Sequence, residues 1–243
     1  AQSRLCPTDM KLPHQKLVGL ATMLISLSAW PSATIADHHL AKPNIVFIMA
    51  DDMGYGDVGC YNAGSKIPTP HMDRLAREGM RFTDAHSSAA FCTPSRYALL
   101  TGRYCWRTRL QKSVLFNFEP PLIERGRMTL ASLLQQNCYR TGLFGKWHLG
   151  ANYPYRPQDR GFKESVWYLS SSIPSVPAYW GNDYFDDVYM HNGKEKQFKG
   201  YCADVFFNEA KRFILESAQK KKPFLCYVAT NTPHGPFWPK DED

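Results

Sequence analysis

Asn44-Ile45-Val46-Phe47-Ile48-Met49-Ala50 runs without a break into Asp51-Asp52-Met53-Gly54. From Ile45 the run is apolar and rich in β-branched residues, the look of a central parallel strand buried on both faces. Two acids end it. In open α/β sheets, ligands lie beyond the carboxyl ends of the strands, so this pair stands where a site would be built. Adjacent carboxylates repel, and a hard cation between them would relieve the repulsion. The plainer alternative is a polar loop that merely ends the strand.

The rest of the chain alternates in the same style. Thr69 to Gly79 reads as a helix: Thr69 caps it, Pro70 begins it, Gly79 ends it, and Met72, Leu75 and Ala76 form its apolar face. Thr129 can cap a second helix on Leu130, Leu133 and Leu134. Tyr139 to Phe144 is a short strand that leads into Gly145-Lys146-Trp147-His148. Asp204 to Gln219 is amphipathic, with Phe206, Ala210, Phe213, Ile214 and Ser217 on one face. Phe224 to Ala229 is another apolar strand, ending in Thr232-Pro233-His234. Residues 103–128 and 151–201 show little periodicity and read as long loops over one face of the sheet. A βαβα alternation of this kind predicts an α/β fold with a mostly parallel central sheet flanked by helices.

Composition narrows the function. The chain has 243 residues, 44% hydrophobic and 21% charged, and a formal net charge of +7. The basic residues are scattered, and the dense run Lys220-Lys221-Lys222 suits a solvated helix end, so no nucleic-acid partner is expected. Residues 10–36 read as a secretory signal peptide: Lys11 and Lys16 precede an apolar run from Leu17 to Trp30, and Thr34-Ile35-Ala36 resembles a cleavage site. A buried N-terminal helix is the rival reading. Residues 1–36 are therefore assigned to upstream sequence plus signal, and 37–243 to the folded part. The expected location is secreted or periplasmic, with no stable membrane insertion after cleavage. Seven cysteines at irregular spacing suggest neither a zinc site nor a dense disulfide framework.

One cysteine has unusual company. Phe91-Cys92-Thr93-Pro94-Ser95-Arg96 is followed by Tyr97-Ala98-Leu99-Leu100-Thr101-Gly102, a short buried helix with Pro94 in its first turn and Gly102 as its stop. Cys92 then falls at a helix N-terminus, where free N–H groups favour an anion. It could be a buried structural thiol, or a thiolate whose pKa is lowered by the helix end and Arg96.

The segments Asn-Ile-Val-Phe-Ile-Met-Ala-Asp-Asp-Met-Gly, Thr-Pro-His-Met-Asp-Arg-Leu, Cys-Thr-Pro-Ser-Arg, Gly-Lys-Trp-His-Leu-Gly and Thr-Pro-His-Gly-Pro follow one another over about residues 42–239. In that order they resemble the sulfatases of the alkaline phosphatase superfamily. The resemblance implies that Cys92 is oxidised to formylglycine (3-oxoalanine) by a formylglycine-generating enzyme, and that its hydrate is the nucleophile. It implies Asp51, Asp52 and the modified Cys92 as ligands of one divalent cation, Ca²⁺ or alternatively Mg²⁺. Arg96 would hold the modified residue, Lys146 a sulfate oxygen, His148 the second hydroxyl of the nucleophile, and His234 the leaving-group oxygen. One hydroxyl attacks sulfur and the other later expels sulfate, which divides a hard hydrolysis into two easier steps.

The implied activity is hydrolysis of aryl or carbohydrate sulfate monoesters. The alternatives are a phosphonate monoester or phosphodiester hydrolase with the same modified cysteine, and a non-catalytic fragment that binds a sulfated ligand. Against the family pattern, Cys138 stands where Gly is usual and Phe91 where a smaller residue is usual. The family's later Asp-Asn or Asp-His pair and second Lys have no counterpart here. The expectation is an N-terminal portion of a catalytic domain that binds metal weakly and is inactive alone.

Overall fold

The computed structural model describes residues 42–116, 118–173 and 178–240, and the fold below is that of the unit Asn44–Asp243. The signal-peptide reading falls outside the described residues. Six strands form one sheet: β1 (Ile45–Asp51), β2 (Arg140–Lys146), β3 (Glu164–Tyr168), β4 (Val188–His191), β5 (Lys194–Gln197) and β6 (Phe224–Pro233). Their spatial order is β1-β6-β2-β3-β4-β5. The first four in that order are parallel, and β4 and β5 close the sheet as an antiparallel hairpin. The helices are α1 (Pro70–Glu78), α2 (Cys92–Thr101), α3 (Leu130–Gln136) and α4 (Cys202–Gln219). The expected α/β class therefore holds.

Strand β6 lies between β1 and β2. Strand alternation divides its side chains between two cores. Leu225, Tyr227 and Ala229 join Leu143, Trp147 and Phe162 and the buried side chains of α2 and α3. Phe224, Cys226 and Val228 join Phe144, Val166 and the apolar face of α4. Gly145 allows β2 to approach β6 closely. It has φ +114, and a Cβ there would lie 2.0 Å from the Ala229 carbonyl oxygen.

Three expectations are corrected. Among the described residues β1 is an edge strand rather than a central one, with Val46 and Ile48 about half exposed and only Ile45, Phe47 and Met49 packed on the core. Its unbroken apolar run reports a strand suited to cover on both faces, and among the described residues only one face is covered. The predicted apolar face of α1 is also open, with Leu75 72% exposed. Residues 151–201 contain β3, β4 and β5 as well as loops. The β4–β5 turn is Asn192-Gly193, both at positive φ, a dipeptide that favours tight hairpins and that the loop reading passed over.

Candidate active site

The carboxyl ends of the parallel strands gather the polar residues singled out above. Asp51 is the last residue of β1, paired with Pro233 after a register shift against β6, and it continues the inward alternation of Ile45, Phe47 and Met49. Asp51 is 3% exposed, whereas Asp52, at φ +66, is outside and open to solvent. The buried carboxylate is fully engaged. Lys146 Nζ, at the end of β2, donates to Asp51 Oδ2 at 2.6 Å, and Arg96 Nη2 donates to Oδ1 at 3.3 Å. Arg96 Nη1 also donates to the Lys146 carbonyl at 3.1 Å. Burial alone would lower the guanidinium's pKa, but Tyr227 and Asp51 outweigh it and the net shift is upward.

All three charges are buried, and two cations face one carboxylate. Breaking such a buried pair typically costs several kcal/mol, so the trio is rigid. Its surplus positive charge suits an anionic ligand.

Cys92 is the first residue of α2, a free thiol, with Gly102 in the left-handed conformation ending the helix. It opens on a cavity of about 350 Å³ whose walls include Asp51, Asp52, Ser95 and Arg96. The geometry therefore brings Asp51, Asp52, Cys92 and Arg96 to one space. Lys146 reaches it through Asp51. His234 follows β6, its Nδ1 donating to the Gly235 carbonyl at 2.6 Å and its Nε2 lying 3.6 Å from Asp52 Oδ2.

His148 stands slightly apart. Its ring lines a neighbouring cavity. Nε2 lies 2.7 Å from the Leu115 carbonyl, which can only accept. Nε2 therefore carries the proton, and Nδ1, buried and without a partner among the described residues, keeps a lone pair. Burial, then the Lys146 ammonium, push this imidazole down to about 3, so it is neutral at neutral pH. Thr93 joins the two spaces: its hydroxyl donates to the His148 carbonyl and accepts from the Leu115 amide.

Tyr227, Tyr168, Thr93 and Leu115 were not anticipated. Tyr227 OH accepts from Arg96 at 3.5 Å, and burial raises its pKa. Buried Tyr168, at the end of β3, has a hydroxyl with no partner among the described residues and a pKa raised by burial. In sequence both look like ordinary strand aromatics, and Leu115 acts through its backbone. At the other end of β3, Glu164, His191 and Glu209 converge within 4.8 Å. Arg212 and Arg140 already hold those carboxylates, so this group is an ion-pair network.

The carboxylates of Asp51 and Asp52 are hard donors and fit a hard divalent cation in type, while the Cys92 thiol is a soft one, and the two carboxylates supply fewer than the roughly 6–8 oxygens Ca²⁺ takes. An open, mostly parallel sheet carrying such a site at its strand ends is the architecture of an α/β protein that binds its ligand beyond the carboxyl ends of the strands. The protein-family model described as Sulfatase matches residues 43–243, and the chain belongs to the sulfatase family.

It is 49% identical over 257 residues to an N-acetylgalactosamine-6-O-sulfatase of Bacteroides thetaiotaomicron, covering 82% of this chain and 49% of that protein. It is 36% identical over 225 residues to human arylsulfatase G, covering 81% and 42%. Among solved structures it resembles Ps i-CgsB with a TM-score of 0.74 at 34% identity, over 83% of this chain and 47% of that one. The chain spans about half the length of the curated relatives it matches.

Proposed function

We propose that the protein hydrolyses sulfate monoesters of sugars, with Cys92, converted to formylglycine, supplying the nucleophilic oxygen. The observation that carries this reading is Cys92 at the start of α2, facing the same cavity as Asp51, Asp52 and Arg96. A sulfate monoester is an anion, and attack on its sulfur needs that charge screened. The buried Lys146–Asp51–Arg96 trio carries net positive charge beside the cavity. Asp51 and Asp52 would hold a divalent cation, Ca²⁺ or Mg²⁺, which would add further screening. Lys146 is the residue this reading assigns to a sulfate oxygen.

His148 presents a neutral Nδ1 lone pair, which this reading assigns to a hydroxyl of the nucleophile as a hydrogen-bond acceptor. His234 beside Asp52 is suited to protonate the leaving alcohol. Relatives described as an N-acetylgalactosamine-6-O-sulfatase and an N-acetylglucosamine-6-O-sulfatase, and a solved neighbour, 34% identical, in complex with its substrate D-glucosamine-2-N,6-O-disulfate, support a sulfated carbohydrate as substrate. Export to an oxidising compartment and maturation by a formylglycine-generating enzyme belong to the same proposal.

The test is co-expression with a formylglycine-generating enzyme, followed by mass spectrometry of the peptide containing Cys92. Conversion of thiol to aldehyde is expected, and an intact thiol overturns the mechanism. With the complete protein, turnover of a sugar sulfate but not of a phosphonate ester separates this activity from its sister chemistry.

A further inference from the structure

Beside the nucleophile's cavity lies a second one of about 320 Å³, whose walls include Phe116, Phe118, Glu119, Trp147, His148 and Asn152. Ligand pockets run from about 300 to 1,000 Å³, so it is sized for one ring rather than a chain. It shares the strand ends of the site: Trp147 and His148 follow β2, and residues after β3 complete the wall.

Its chemistry differs from that of the first cavity. No lysine or arginine lines it among the described residues, and Glu119 is its one carboxylate. Glu119 is anchored, since its Oε2 accepts from the Phe116 amide at 2.9 Å, and Oε1 takes no hydrogen bond from the described residues. Phe116 and Phe118 are 64% and 82% exposed, rings that a soluble surface would normally cover. Nδ1 of His148, on a side chain more than nine-tenths buried, has no partner among the described residues. Exposed aromatic faces and a free carboxylate oxygen match a sugar ring, which has apolar C–H faces and hydroxyl donors around its edge. A second sulfate here would meet Glu119 with no cation to offset the repulsion.

We propose that this cavity is the saccharide subsite of the protein, that it takes the uncharged ring of the substrate, and that Glu119 selects against further sulfation on that side. The assignment deepens the sulfatase reading and rests on it for the identity of the substrate, but binding of the ring itself needs neither modified Cys92 nor a metal.

The test is saturation-transfer NMR on the full 243-residue chain with N-acetylgalactosamine, its 6-sulfate and its 4,6-disulfate. The unsulfated sugar is expected to bind through its ring protons, and equally well to Cys92→Ser. The disulfate should bind about tenfold more weakly than the monosulfate, a gap of about 1.4 kcal/mol. Glu119→Gln should narrow that gap, and Phe116→Ala should weaken all three sugars. Both positions are at the surface, so the variants are expected to fold.

No binding of the unsulfated sugar, or wild-type behaviour in both variants, overturns the assignment. Sugar binding in a chain whose Cys92 stays an intact thiol under the maturation test keeps the subsite and discards the formylglycine reading. Conversion of Cys92 in a chain that binds no sugar does the reverse.

Discussion

His148 carries the clearest single-residue consequence of the tertiary structure. Its φ is +55, a left-handed value that Asn and Asp tolerate better than most residues. Burial, and after it the Lys146 ammonium, holds its imidazole near 3 against an ordinary 6.5. The unfolded chain therefore binds a proton that the folded chain refuses between those values. Stability from this residue is fully present above about pH 6.5 and is lost as pH falls towards 3, at up to about 1.4 kcal/mol per pH unit. His148→Asn suits the backbone and cannot titrate. Urea unfolding from pH 7 to pH 4 should show a steeper decline for the wild type than for this variant, and equal slopes would refute the assignment. His148 could be nominated from sequence because it follows a strand. Its tautomer and free Nδ1 could not, because both depend on the Leu115 carbonyl, 33 residues away.

At the level of elements, the site depends on how closely β2 and β6 approach, because that spacing sets Lys146 at the strand ends. Gly145 is the point of contact: a side chain there meets the Ala229 carbonyl, and its φ of +114 is strained for any residue with a Cβ. Gly145→Ala should destabilise the fold by at least about 3 kcal/mol, adding overpacking to backbone strain. Gly102→Ala, at the end of α2 with nothing within 4 Å, should cost less because only the left-handed backbone objects. Denaturant midpoints of the two variants test the ranking, and a Gly145→Ala chain as stable as the wild type would remove close packing as the reason for this glycine.

The elements themselves were legible wherever a local signal was strong. The predicted helix beginning near Cys92 forms with Gly102 as its stop, and Thr129 caps α3 by accepting from the Ser132 amide. β3, β4 and β5 were missed because aromatic and polar residues are mixed in them without a clean period. Asn192-Gly193 was the local signal available.

Across the whole molecule, the apolar residues left outside are the main feature. Val46 and Ile48 lie on one exposed face of an edge strand, and Leu75 projects from α1. A flat apolar edge strand is a template for pairing with another chain. The 243-residue chain should self-associate as concentration rises, and Ile48→Lys should suppress this without loss of folded signal. Light scattering alongside circular dichroism checks both halves of that statement. Association unchanged by Ile48→Lys would show that β1 is not the contact.

Local patterns in the chain determined the α/β class, the helix that begins at Cys92 and the position of each of Asp51, Asp52, Lys146, His148 and His234 at or just past the end of a strand. Each depends on periodicity, capping or a strand terminus, all short-range properties of sequence. Tertiary structure alone decided that Asp51 is buried between Lys146 and Arg96 while Asp52 faces outward, that His148 lines a separate cavity, and that β1 lies at an edge. Those outcomes depend on register, burial and contacts between residues tens to more than a hundred positions apart, which no local pattern encodes.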